Sequence, residues 1–475
     1  MVFSSLEFLF LFLPIFLLIY FLIPSRFRNL ILFAGSVVFY SMGTLEKPVY
    51  ILLIVGSMLV NYLVALGMAR FDKCKKLFFI LGVIYNFAWL FVFKYSDFMF
   101  SGVNEFIAAF LPKVEFRFKM LGLLLPIGIS FYTFQSVSYI ADVYKGKCEA
   151  ERSFINLGAY ICMFPQLIAG PIVTYASVRE QLHAERKFSL VDFSEGIKTF
   201  VFGLGLKVIL ANQLGNLWST LSTIGYESVS TPLAWLGLIA YTFQIYFDFY
   251  GYSLMALGLG KIIGFNFPDN FNHPYISCSM TEFWRRWHIT LGSWFREYVY
   301  IPLGGSRVSK PRMIFNLFVV WIFTGLWHGA SLNFVLWGLV LFLFIMIEKL
   351  FLKKYLDKYK WFGHIYMIIL IPLSWALFAI TDFSQLAVFF GRLFPFITSA
   401  ESQQLVIYRY DFIKYAKEFG MLLVAGVFFS TEFPYKLLKK YKDSIFETVF
   451  LLAAFYIAVY CMYKGLNDPF LYFRF

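Results

Sequence analysis

Apolar runs over residues 6–23, 29–43, 48–69 and 77–96 are separated by short breaks at 24–28, at 44–48 and at the basic 70–76. Runs of this kind read as membrane-spanning helices, which need about 20 largely apolar residues. The breaks that alternation places inside carry Arg26 and Arg28, then Arg70, Lys73, Lys75 and Lys76 against one Asp72, the bias expected of cytoplasmic loops. Glu7 precedes the first run and no Lys or Arg does. That is the reverse of a cleavable signal peptide, so 6–23 reads as a retained helix. Residues 97–119 are mixed and are expected along the outer interface, with 120–143 a span broken by Pro126 and Gly128.

Later runs at 154–175, 196–217 and 232–263 contain breakers such as Gly170-Pro171 and polar groups such as Gln244 and Asp248. A broken helix survives at membrane depth only where protein or a wet cavity covers the freed backbone, so a re-entrant segment is expected near Pro165–Pro171. Residues 265–312 differ in kind. Thr281–Tyr300 mixes aromatics with Glu282, Arg285, Arg286, Arg296 and Glu297, which predicts an interfacial amphipathic helix on which Glu282 and Arg286 pair at four-residue spacing. Residues 313–347 would extend roughly 50 Å as one helix at 1.5 Å per residue, so a bend or hairpin is expected near Trp327-His328-Gly329. Spans follow at 364–381, about 419–430 and 445–463, separated by basic loops, and the tail 464–475 is expected outside. The pattern predicts an all-α polytopic membrane protein, a single domain over 1–475 with about ten to twelve spans.

Composition excludes the soluble alternatives. Of 475 residues 60% are hydrophobic, 62 are Phe and only 15% are charged, more apolar surface than a water-soluble core hides. The net charge of +13 sits mostly in short loops, so it reads as topology and gives no reason to expect nucleic acid. The five cysteines have no CxxC or paired spacing, so neither a disulfide framework nor a zinc site is indicated.

The sequence has no GxxxxGK[ST] loop and no GxSxG elbow, which leaves P-loop ATPase and serine-hydrolase chemistry without support. Attention falls on the histidines. His183 and His364 lie in or beside charged loops and His273 precedes Pro274, positions that suit structural roles. His328 sits in the middle of a long apolar run, where an ionisable side chain is costly and usually faces a cavity. A neutral imidazole there can serve as a general base toward a hydroxyl, or it can be satisfied by a neighbouring helix. His288, in Trp284-Arg285-Arg286-Trp287-His288, suits a site or a headgroup contact equally, and the Arg pair can bind phosphate of lipid or nucleotide.

The run EFWRRWHITLGSWFREYVYIPLGG at 282–305 and the WHG at 327–329 resemble the alginate O-acetyltransferase (AlgI-like) branch of the membrane-bound O-acyltransferases (MBOAT). LPIGISFYTFQSVSYIADVYKG at 125–146 and FPQLIAGPI at 164–172 extend the resemblance over nearly the whole chain. It implies a multi-helix bundle with re-entrant and interfacial helices around a central tunnel, in the bacterial cytoplasmic membrane. It also implies an acetyl group moved from cytoplasmic acetyl-CoA, as donor substrate without a bound cofactor or metal, toward hydroxyls of an extracytoplasmic polysaccharide such as an alginate-like polymer or peptidoglycan. His328 matches the family's principal catalytic histidine and His288 its second one. Arg285 and Arg286 are then candidates for attracting the anionic donor, and Trp327 for lining the passage.

The tail Asp468–Phe475 holds four aromatics and can be a packed cap. The resemblance makes Tyr472 a candidate acyl carrier, whose phenol would need a base such as His328. Besides membrane lipids, the expected partner is a separate SGNH-type acetyltransferase or an exopolysaccharide assembly complex. Two alternatives stay open: D-alanyl transfer to teichoic acid, and a transporter or flippase for lipid-linked sugars, since buried Asp248 and Gln244 also suit a substrate path.

Overall fold

The computed structural model describes residues 1–45, 47–168, 170–396, 410–465 and 471, and among them no strand occurs. The first part comprises α1 (Phe8–Leu22), α2 (Arg28–Gly43), α3 (Val49–Arg70), α4 (Asp72–Phe110), α5 (Ile129–Tyr144), α6 (Phe154–Cys162), α7 (Phe164–Leu167) and α8 (Tyr175–His183). Two long helices follow, α9 (Leu190–Ile224) and α10 (Thr231–Ile262). Then come the short α11 (Met280–Arg286) and α12 (Ile289–Phe295), and after them α13 (Lys310–His328), α14 (Leu332–Lys358), α15 (Lys360–Ala379) and α16 (Phe383–Leu393). The last are α17 (Asp411–Ser430), α18 (Phe433–Lys440) and α19 (Ile445–Tyr463). Among the described residues six helices, α3, α4, α9, α14, α15 and α19, are long and apolar enough to cross a membrane. Large apolar side chains stand in the open, with Met421 86%, Ile445 84% and Leu22 75% exposed, so lipid is the solvent these faces fit.

The chain folds into two compact units, one of residues 1–196 and 256–268, the other of 197–255 and 269–475. The first is organised by aromatic rings. Phe8, Phe12 and Phe16 recur every four residues on one face of α1, stack successively at 5.7 and 5.8 Å, and meet Phe164 of α7, edge-on in the case of Phe12 and Phe16. Asn61 of α3 and Asn86 of α4 exchange side-chain amide hydrogen bonds of 3.1 and 2.7 Å, a pairing that satisfies both polar groups between apolar helices. Every residue of α5 from Ile129 to Val143 is buried. After α5, the Glu151 carboxylate accepts from the Ser153 N–H and the Tyr175 hydroxyl and lies 2.8 Å from His183 Nε2. Burial pulls its pKa upward, but these hydrogen bonds and the His183 charge outweigh that and leave it lowered.

The second unit contains a helical hairpin. Gly329 breaks α13 from α14 in an extended conformation, and the two helices then pack backbone to backbone. A Cβ on Gly325 would lie 2.3 Å from the Phe334 carbonyl oxygen, and one on Gly338 would lie 2.4 Å from that of Trp321. Only glycine permits this approach, as at small-residue interfaces between membrane helices generally.

The expected spans at 6–23, 29–43, 48–69 and 445–463 match helices within a few residues, and the hairpin at 327–329 is present. Three expectations change. Helix α4 does not stop near residue 96; it passes through a wider π-type turn at Phe91–Tyr95 and continues to Phe110, because no proline interrupts it. The expected span over 120–143 is helical only from Ile129, where Gly128 at φ 72° starts the helix. The amphipathic segment Thr281–Tyr300 is two short helices instead of one.

Replacing Gly338 by Leu overpacks the hairpin and is expected to destabilise the protein by about 1–3 kcal/mol. The check is the thermal unfolding midpoint in detergent, with Gly420→Leu as control, since a Cβ on Gly420 meets nothing within 4 Å.

Candidate active site

Helix α11 is fixed at its start from two sides. The Ser279 side chain accepts from the Glu282 N–H at 3.1 Å, the usual N-terminal cap. The buried Glu348 carboxylate of α14 takes the N–H groups of Met280 and Thr281 and the Thr281 hydroxyl, where a negative charge complements the helix dipole. Four residues on, Arg286 pairs with Glu282 at 3.1 Å and donates to the Asn272 carbonyl.

The chain then turns sharply. Trp287 is extended and His288 is left-handed, at φ 45° and ψ 54°, an uncommon conformation for a residue with a side chain. Backbone hydrogen bonds to the preceding loop hold it: Ile289 N–H to the Asn270 carbonyl and Asn272 N–H to the Arg286 carbonyl, both 2.9 Å. The Asn270 side chain completes the arrangement. Its Oδ1 is 2.9 Å from His288 Nδ1 and also accepts from Thr290, while its Nδ2 reaches Ser253 Oγ at 3.0 Å. A backbone N–H can only donate, so the atom facing Thr290 and His288 is the amide oxygen, and Nδ1 carries the ring proton. Nε2 of His288 is then unprotonated, and it has no hydrogen-bond partner among the described residues. The ring is 2% exposed, and burial pushes its pKa down to about 3.

His328 is the last residue of α13. Its ring packs edge-on to Trp327, Trp337 and Phe378, at centroid distances of 4.9, 5.1 and 5.3 Å. Trp327 also contacts the His288 ring at 5.7 Å. Both histidines border one cavity of about 210 Å³, whose walls include Trp284, Trp287, Arg296, Trp321 and Thr324. Two imidazoles on one aromatic-walled cavity, one held as an unprotonated acceptor, can move a proton to or from a hydroxyl.

The structure thus brings His288, His328 and Trp327 together. Arg285 and Arg286 are not among the cavity-lining residues; Arg286 is engaged by Glu282 and Asn272, and Arg285 is exposed. The arginine among the cavity-lining residues is Arg296, on the π-type turn after α12. Sequence reasoning singled out neither its place on the cavity nor the bonds that Asn270 makes, although the Asn-rich stretch 266–272 beside the histidine segment is a signal for the latter. Tyr472 lies outside the described residues. No group of three His, Cys, Asp or Glu suited to a metal ion occurs among the described residues.

The described residues thus form a helical membrane protein in which two histidines border one cavity. A family model for the membrane-bound O-acyltransferases matches residues 150–381. The probable alginate O-acetylase AlgI of Pseudomonas aeruginosa is 40% identical over 405 residues, covering 84% of this chain and 76% of the relative. The peptidoglycan O-acetyltransferase of Helicobacter pylori is 35% identical over 72% of this chain and 69% of its own length, and the teichoic acid D-alanyltransferase of Bacillus subtilis 31% identical over 50% and 61%. The chain belongs to the membrane-bound O-acyltransferase family. It is a multi-pass membrane enzyme that transfers acyl groups to hydroxyls, which excludes the transporter alternative.

Two predictions test this geometry. Asn270→Leu removes the acceptor that sets the His288 tautomer and is expected to lower acyl transfer by about 10²-fold, the scale of a misplaced positioning group, with the protein still inserted. In the unfolded chain His288 titrates near 6.5 and in the folded protein near 3, so the unfolded state binds more protons between these values. The stabilisation is complete above about pH 6.5 and falls as pH drops below it. Thermal unfolding of wild type should therefore lose stability between pH 7 and 4 more steeply than that of His288→Gln.

Proposed function

We propose that this enzyme takes an acetyl group from cytoplasmic acetyl-CoA and passes it toward hydroxyls of an extracytoplasmic polysaccharide, at the bacterial inner membrane. The observation that carries the reading is the pairing of His328 with an unprotonated, oriented His288 on one cavity. The acetyl-transferring relatives match more of the chain than the D-alanyl-transferring one, 84% and 72% against 50%. That favours acetyl over D-alanyl as the cargo and an alginate-like polymer or peptidoglycan as the acceptor.

In this reading a hydroxyl oxygen attacks the thioester carbonyl. A C–O bond forms and the C–S bond breaks, His328 takes the hydroxyl proton, and that proton passes to the departing thiolate. His288 orients the donor through its unprotonated Nε2. Arg296 takes over the part first expected of Arg285 and Arg286, since it is the cation on the cavity wall and attracts an anionic donor. Tyr472 is the first acceptor. The acetyl group then leaves it by exchange of one ester for another, completed by a separate SGNH-type transferase or an assembly complex.

The test is transfer of radiolabelled acetyl from acetyl-CoA to the purified protein in vesicles. His328→Ala should reduce labelling by about 10²-fold or more, and wild-type labelling in that variant would sink the mechanism. Arg296→Gln should raise the donor KM, with a smaller effect on kcat, while Arg285→Gln leaves the donor KM near that of wild type.

A further inference from the structure

Leu471 is buried, 7% exposed, and its backbone N–H donates to Asp248 Oδ2 at 3.0 Å, across 223 positions of sequence. The other carboxylate oxygen of Asp248 is 2.7 Å from the Lys207 ammonium, which also donates to Asn212 Oδ1 at 2.7 Å. Lys207 is fully buried and Asp248 and Asn212 are nearly so. Lys207 stands on a π-type turn of α9, Leu206–Ala211, a distortion that frequently marks functional sites.

A buried ion pair is a poor device for holding two helices together, because desolvation offsets most of the attraction and a well-packed apolar pair often serves as well. It is a good device for fixing something else. A buried carboxylate has two oxygens to satisfy, and Lys207 covers one. A chain segment entering an apolar interior brings N–H groups that need acceptors, and a charged acceptor makes the stronger bond. The location connects this to the cavity: on the same turn of α10, Phe249 packs edge-on against the His288 ring at 4.7 Å.

We propose that Asp248, held by Lys207 and Asn212, is the receptor for the C-terminal tail and the positioning residue that sets where Tyr472 works. The contact reads the main chain at Leu471, one residue before Tyr472 in sequence, so it does not depend on which side chain residue 471 carries. The positioning part rests on the proposed role of Tyr472 as acceptor; the docking part does not.

The test uses the full-length protein with its five native cysteines replaced by alanine and Leu471→Cys introduced. Reaction of this thiol with a maleimide is followed with and without the pair Lys207→Met/Asp248→Leu, which removes the acceptor and leaves no unpaired buried charge. Labelling is expected to be at least about 10-fold faster in the double variant, because a released segment loses its protection; equal rates would overturn the docking. A second variant, Leu471→Pro, deletes the N–H that Asp248 accepts and leaves the ion pair intact, with Leu471→Ala as the control for the lost side chain. It should lower acetyl transfer about 10-fold with an unchanged unfolding midpoint, and transfer at the wild-type rate would overturn the positioning role. If Tyr472→Phe transferred normally while Leu471→Cys still required Asp248 for protection, the acyl-tyrosine reading would fail and the docking would stand.

Discussion

Asn270 gathers the groups on which the site depends. Its carbonyl oxygen receives Ile289, and its side-chain oxygen receives His288 and Thr290. Together with the bond from the Asn272 N–H to the Arg286 carbonyl, those bonds hold the left-handed backbone at His288, where neither glycine nor a β-turn pair stands. One amide therefore makes the break between α11 and α12, turns the imidazole inward and chooses which of its nitrogens bears the proton. The ring is buried beside aromatic side chains, and that burial favours its neutral form.

What could be read from the sequence followed from length and periodicity. The stretch 313–347 was too long for one span, so a hairpin at Trp327-His328-Gly329 was the simplest solution, and the glycine there is where α13 ends. The uniform apolar run 445–463 coincides with α19. That His328 borders a cavity was legible because an imidazole in the middle of an apolar run is costly.

What could not be read depended on partners distant in the chain. Nothing in Arg285-Arg286-Trp287-His288 breaks a helix by propensity; the break comes from a residue 18 positions earlier. The Arg pair was chosen by charge, yet the four-residue spacing that pairs Arg286 with Glu282 already indicated that one of the two was occupied. Asp248 stood out as a polar group in an apolar run, but its partner Lys207 lies in a different run 41 positions away. The second hydrogen bond, from the tail, has no local pattern at all.

The close approach of α13 and α14 at their glycines has a bearing on how the cavity can vary. With carbonyl oxygens filling the space where side chains would stand, the hairpin is a stiff post and His328 is its tip. The opposite wall is made of side chains on two short helices joined at a turn, Trp284, Trp287 and Arg296 among them. Volume is gained or lost by exchanging the side chains that face the cavity, while the glycine contacts within the post leave no room for adjustment. Side-chain exchange can therefore reshape the cavity without moving the tip on which His328 stands.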